Sequence, residues 1–161
     1  MDQIIEFLQK LSKNEDETIR KAAVICAGQV GEDAINIVIE ALSDDDYSIR
    51  VAARESLGHI GGEHVIGILG NMLLRQFLID DVYSVRALGR IGGKRVVEIL
   101  EKALSKDTCW QIRREIIHVL DKNWCDKSEE ILNIIVEKEH DKDVRRLARR
   151  TISKHKDIDV E

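Results

Sequence analysis

Residues 44–62, DDDYSIRVAARESLGHIGG, decide the fold, because the same pattern stands 30 residues earlier in the chain. Ile49-Arg50 falls on Ile19-Arg20, Ala52-Ala53 on Ala22-Ala23, Gly58 on Gly28 and Ile60-Gly61 on Val30-Gly31. Internal repetition at such a period marks an array of small structural units. A third copy, DDVYSVRALGRIGGKRVVEILEKAL, fills residues 80–104. The copies are bounded at 14–42, 44–78, 80–104 and, more weakly, 107–139, with a half copy at 141–156 that opens DKDVRRLARR.

Each copy reads as two amphipathic helices. Ile49, Ala52, Ala53, Leu57 and Ile60 recur at helical spacing and form the apolar stripe of a first helix. The glycine pairs Gly61-Gly62 and Gly92-Gly93 end such helices, since glycine accepts the left-handed cap that other residues resist. A second helix follows through Val65, Ile66, Ile68, Leu69, Met72 and Leu73, and again through Val96, Val97, Ile99, Leu100, Ala103 and Leu104. Asp44, Asp45, Asp46 and Ser48 then supply capping groups for a first helix. One hairpin cannot bury its own apolar face, whereas a stack of hairpins builds a continuous core.

The third copy is irregular. Val85-Arg86 lies 36 residues beyond Ile49-Arg50, yet Leu88-Gly89 lies only 31 beyond Leu57-Gly58. The spacing predicts a first helix shortened by about five residues and a longer helix before it, from His64 to Leu78. Residues 2–12 read as an orphan second helix and residues 142–155 as an orphan first helix. In the fourth copy Asp121 and Asn123 stand where Gly58 and Ile60 stand in the second.

Composition agrees. The chain has 161 residues, enough for one domain, and 43% hydrophobic with 34% charged residues suits a packed protein. Ordinary usage would supply roughly eight prolines; there are none, as an all-helical chain requires. A net charge of −5 weighs against nucleic acid as the partner of the whole surface. No stretch approaches the 18 or so apolar residues of a membrane span. The opening MDQIIEFLQK does not resemble a secretion signal, and three cysteines without CxxC spacing point to a reduced, cytoplasmic setting.

The pattern D-x-x-Y-S-V-R…A-A…A-L-G-x-I-G-G resembles the short HEAT-like repeat of the phycobilisome-lyase type, over residues 14 to about 104 and more loosely beyond. The resemblance implies an all-α superhelix, an α-solenoid of about four hairpins with an unpaired helix at each end. It leaves function open, because that family includes scaffolds, regulatory subunits, lyase-type chaperones and a few enzymes. It also implies a structural ladder of Asp16, Asp46 and Asp81 with Arg20, Arg50 and Arg86. In such solenoids the second helices line the inner surface, which places Asn36, Glu40, Gly67, Asn71, Glu98, Lys102, Asn133 and Glu137 on a candidate partner-binding stripe. Gly67 and Gly70 sit inside a second helix, where tight packing against a neighbour is the preferred explanation.

Catalytic chemistry finds little support. Gly58-His59-Ile60-Gly61-Gly62 follows a helix rather than a strand, the wrong context for a phosphate-binding loop. HEAT-like deoxyhypusine hydroxylases hold iron with repeated His-Glu pairs; here only the reversed Glu63-His64 and Glu139-His140 occur. Trp110 with Asp107, and Trp124 with Asp121, resemble the cleft residues of HEAT-like alkylpurine DNA glycosylases, but packing roles are preferred in an acidic chain. His118, among Ile116, Ile117, Val119 and Leu120, reads as a partly buried packing residue, and the cysteines lack a partner at a nucleophile's spacing. No metal, cofactor or catalytic residue is assigned.

The C-terminal helix is the strongest charged feature, with Arg145, Arg146, Arg149, Arg150 and Lys154 forming a candidate basic patch. The expectation is a non-catalytic protein-interaction or scaffold module presenting a concave helical surface to a protein partner. The alternative is binding of nucleic acid or an acidic partner through that basic helix, with a metal-dependent enzyme behind it.

Overall fold

The computed structural model describes residues 2–75, 81–105 and 109–156. Among them are ten α-helices and no strand. Helix α1 (Asp2–Leu11) precedes four hairpins: α2 (Glu17–Val30) with α3 (Ile35–Glu40), α4 (Tyr47–Ile60) with α5 (Gly62–Arg75), α6 (Asp81–Ile91) with α7 (Lys94–Leu104), and α8 (Trp110–Lys122) with α9 (Asp126–Lys138). Helix α10 (Lys142–Lys156) packs on α8 and α9. Short 3-10 turns at Glu32–Ala34 and Ala41–Ser43 flank α3.

The stack is an α-solenoid. First helices α2, α4, α6, α8 and α10 lie against one another in chain order, and their partners form a second layer. Between the layers Val24, Ile37, Ile49, Leu57, Leu69, Leu88, Leu100, Ile116 and Leu132 are buried in one aliphatic core. First helices approach closely through small residues. A Cβ added at Gly58 would sit 2.9 Å from the Ala87 Cα, and one at Gly89 would sit 2.4 Å from a Val119 methyl.

Local chemistry sets each boundary. Asp46 caps α4 by accepting the Ser48 and Ile49 N–H groups at 2.7 and 3.2 Å, and Asp16 caps α2 through Thr18 at 2.8 Å. Gly61 ends α4 at φ 70°, its N–H returning to Leu57 O at 2.9 Å. An arginine four residues past each cap clamps the preceding turn. Arg20 Nη1 donates to Asn14 O and Glu15 O, Arg50 Nη1 to Asp44 O and Asp45 O, and Arg145 Nη1 to Glu139 O.

Four expectations need correction. The Asp16 and Asp46 carboxylates cap helices, as expected, but the acid that pairs with Arg20 is Asp44, two residues before Asp46, at 2.9 Å. Arg113 pairs likewise with Glu139 at 2.6 Å, whereas Arg86 meets Glu115 at 2.9 Å and Asp81 is buried. Helix α6 is shorter than α4 by three residues rather than five, because Asp81 and Val82 are already helical. Helix α5 begins at Gly62 rather than His64, and its expected end at Leu78 lies outside the described residues. In α8, Asn123 takes the place of Gly61 and Gly92, not of Ile60: its N–H bonds Val119 O at 2.9 Å, and its side chain bonds Gly89 O and Val119 O.

Candidate partner-binding groove

An open groove crosses the first-helix layer. Its larger part, about 590 Å³, lies between the starts of α4 and α6 and the length of α8, where Tyr47, Tyr83, Arg86, Trp110, Arg114 and His118 face it. It meets a second hollow of about 390 Å³ between α8 and α10, lined by Trp110, Arg114, Val144, Arg146, Leu147 and Arg150. Trp110 and Arg114 belong to both. Both tyrosines and one of the two tryptophans therefore line one face of a chain that is only 4% aromatic.

The local sequence explains the aromatic row. Tyr47-Ser48-Ile49-Arg50 and Tyr83-Ser84-Val85-Arg86 are the same four-residue pattern at the start of α4 and α6. Within each helix the arginine, three residues on, returns over its tyrosine ring, at 5.7 Å for Arg50 and 5.4 Å for Arg86. The two tyrosines meet edge to face with centroids 6.3 Å apart. Ser84 turns inward instead and accepts a bond from the fully buried Arg54 at 3.1 Å.

Trp110 differs from the other aromatics. It stands at the first position of α8 and is 47% exposed, which corrects the packing role expected of it; Asp107, its expected companion, lies outside the described residues. Trp124 does pack: it is half-buried against the core and stacked on the His155 ring at 3.9 Å. Asp121 binds Lys154 Nζ at 2.9 Å and His155 Nε2 at 2.7 Å. Burial pushes the Asp121 carboxyl up, but those two partners outweigh it and hold it below the ordinary range. His118 is half-buried, as expected.

The basic patch is divided by these contacts. Arg145 clamps the turn before α10, Lys154 is taken by Asp121, and Arg146 has an exposed pair with Asp143 at 2.8 Å. Arg149 and Arg150 are exposed, and only Arg150 reaches the groove with Arg146. On the second-helix layer Asn36, Glu40, Asn71, Glu98, Lys102, Asn133 and Glu137 are exposed and Gly67 is half-buried. A hollow of about 200 Å³ between α5 and α7 gathers Gly67, Asn71, Glu98 and Lys102 beside Arg95. Glu40 is occupied by α1, accepting from Gln9 Nε2 at 3.0 Å. Stripe and basic helix thus lie on different layers. Gly70 packs tightly, as expected, under Ile99, whereas a Cβ at Gly67 would meet only Arg95 Nη2, at 3.9 Å.

Other chemistry is sparse. Among the described residues no group of three or more His, Cys, Asp or Glu side chains is placed to hold a metal ion. Cys26, Cys109 and Cys125 are exposed and unpaired. The Ser128 hydroxyl, 3.3 Å from Cys125 Sγ, lowers that thiol below its usual range. No described helix is long and apolar enough to cross a membrane.

Sequence and structure comparisons agree on the architecture. A family model described as HEAT repeats matches residues 3–77, and one described as PBS lyase HEAT-like repeat matches residues 82–106. No curated protein matches the chain. Among solved structures, the complex of CpcE and CpcF of phycocyanin lyase from Nostoc sp. PCC7120 contains a similar chain. The identity is 19% with TM-score 0.68, over 94% of this chain and 99% of that one. An engineered protein is also similar, at 18% identity and TM-score 0.55, over 94% of this chain and 78% of its own. At these identities the likeness is one of fold: this chain is an α-solenoid with HEAT repeats matched over residues 3–77 and a PBS lyase HEAT-like repeat over residues 82–106.

Proposed function

We propose that this chain is a non-catalytic interaction module whose first-helix groove, centred on Trp110 and Arg114, receives a protein partner. The observation that carries the reading is Trp110, a large ring left 47% exposed where two hollows meet. Tryptophan, tyrosine and arginine are the residues on which protein interfaces concentrate their binding energy. A monomer gains nothing from leaving such a ring in water. The solved lyase structure of similar fold is itself a complex of two proteins, in keeping with an assembly role. Three exposed, unpaired thiols suit a reducing, cytoplasmic compartment.

The second-helix stripe is the rival surface, and one experiment sets the two against each other. Tagged wild type, a Trp110→Ala/Arg114→Ala variant and an Asn71→Ala/Glu98→Ala/Lys102→Ala variant are used to capture partners from native lysate. The expected outcome is a partner kept by wild type and the stripe variant and lost by the groove variant. Loss with the stripe variant instead, or no reproducible partner of wild type, would refute the reading.

A further inference from the structure

Resting on that reading, we infer that the groove recognises an acidic segment of its partner: an extended stretch with an apolar or aromatic residue at one end and carboxylates at the other. The two ends of the groove differ in charge and in surface. At the α4/α6 end the rings of Tyr47 and Tyr83 are exposed or half-buried, and Arg86 is already held by both oxygens of Glu115, at 2.9 and 3.1 Å. That end offers aromatic faces and little unspent charge.

The α8/α10 end is the reverse. Arg114 on α8 and Arg150 on α10 are exposed and have no ion pair among the described residues. Arg146, one helical turn before Arg150, holds only Asp143, whose side chain is 83% exposed. Such a pair contributes little and is readily exchanged for a better acceptor. The other acid at this end, Asp141, is committed: its Oδ1 accepts the Asp143 and Val144 N–H groups at 2.9 and 3.0 Å. Three guanidinium groups, whose forked donors match carboxylates, thus surround Trp110 and Leu147 and outnumber the two acids beside them, Asp141 and Asp143.

Nucleic acid fits this arrangement less well. Its binding needs a run of cations along the backbone, whereas Glu115 and Asp121 line the remainder of the groove and the chain carries −5 overall. A segment with a few carboxylates beside an apolar anchor meets both ends.

The test is fluorescence anisotropy with a labelled peptide in which a Phe-Leu pair is followed by a run of glutamates. Comparison probes are the same peptide with lysines in place of glutamates, the glutamate run with the apolar pair replaced by glycine, and oligothymidylate of matched length. Wild type is expected to bind the first peptide most tightly, with affinity falling as salt rises. Arg114→Glu/Arg150→Glu, and the milder Arg114→Gln/Arg150→Gln, should each weaken it by about tenfold or more. Arg149→Glu, an equal charge change outside the groove lining, should leave it within about twofold. No binding of the acidic peptide, equal weakening by Arg149→Glu, or tighter binding of oligothymidylate would overturn the inference. If the acidic peptide fails while the Trp110 variant still loses a captured partner, the acidic specificity falls and the docking groove stands. If Trp110→Ala/Arg114→Ala captures that partner as wild type does, the groove itself falls.

Discussion

Arg20 and Asp44 join the first two repeats by a two-pronged bond, with Nε to Oδ2 at 2.9 Å and Nη2 to Oδ1 at 3.1 Å. The same guanidinium holds two carbonyls of its own turn, and Asp44 Oδ1 accepts the Asp46 N–H at 2.9 Å. Arg113 and Glu139 repeat the arrangement at the other end, with Glu139 accepting the Asp141 N–H at 2.8 Å. One acid therefore ties neighbouring repeats, and the acid two residues later caps the helix.

The pH dependence of stability follows from this division. The Arg20 guanidinium holds the Asp44 carboxyl below its ordinary value. Burial raises Glu139, but the Asp141 N–H and Arg113 outweigh it, so Glu139 is also lowered. A carboxyl with a lowered folded pKa stabilises fully above its unfolded value, about 4, and loses that contribution as pH falls through the folded one. An Asp44→Asn/Glu139→Gln variant should thus be less stable than wild type near neutrality. The difference should shrink steadily as pH drops below about 4, as urea midpoints across a pH series would register. A constant difference down to strong acid would count against the pairs.

Glycines on the two layers should respond oppositely to alanine. At Gly58 a new Cβ would lie 2.9 Å from the Ala87 backbone, and backbone cannot swing aside. Gly58→Ala should destabilise by about 1–3 kcal/mol despite the better helix propensity. At Gly67 the nearest atom is Arg95 Nη2 at 3.9 Å, so alanine there should add up to about 1 kcal/mol. Thermal unfolding of both variants decides it, and stabilisation at Gly58 would show that the first helices are not packed as described.

The repeat was legible because its signals are local: apolar spacing, paired glycines and aspartate before each first helix. What escaped was tertiary. Asp44 and Asp46 are both acids, and only the folded turn distinguishes the tie from the cap. Asn123 replaces a glycine at the end of α8, so the register there slipped by one without a marker. The groove draws Tyr47, Tyr83, Trp110 and Arg150 from four helices spread over about a hundred residues. One clue was in view, the twice-occurring Tyr-Ser-x-Arg, whose tyrosines face solvent while the neighbouring Ile49 and Val85 are buried.

The two tryptophans should separate binding from stability. Trp110 lies outside the core and is 47% exposed, so Trp110→Ala should lower the unfolding free energy by only about 1 kcal/mol. Trp124 packs on the core and on His155, and Trp124→Ala should cost about 2–4 kcal/mol. A large loss at Trp110 by chemical denaturation would return that residue to the structural role first expected of it.

Helix α10 should loosen when Asp121 is neutralised. Its start is held by the Asp141 cap and the Arg145 clamp, its middle by Val144 and Ala148 in the core. Its last turns are held by Asp121, which binds both Lys154 and His155, and by the Lys156–Glu129 pair at 2.7 Å. In Asp121→Asn the charge is lost from both contacts, and the one remaining amide oxygen makes a weaker, neutral bond beside the His155 stack on Trp124. Amide hydrogen exchange should therefore rise over residues 150–156 and change little over 142–148, since local opening follows the weakest attachment. If exchange rises evenly along α10, the helix is docked as one unit and the Asp121 contacts are not what holds its end.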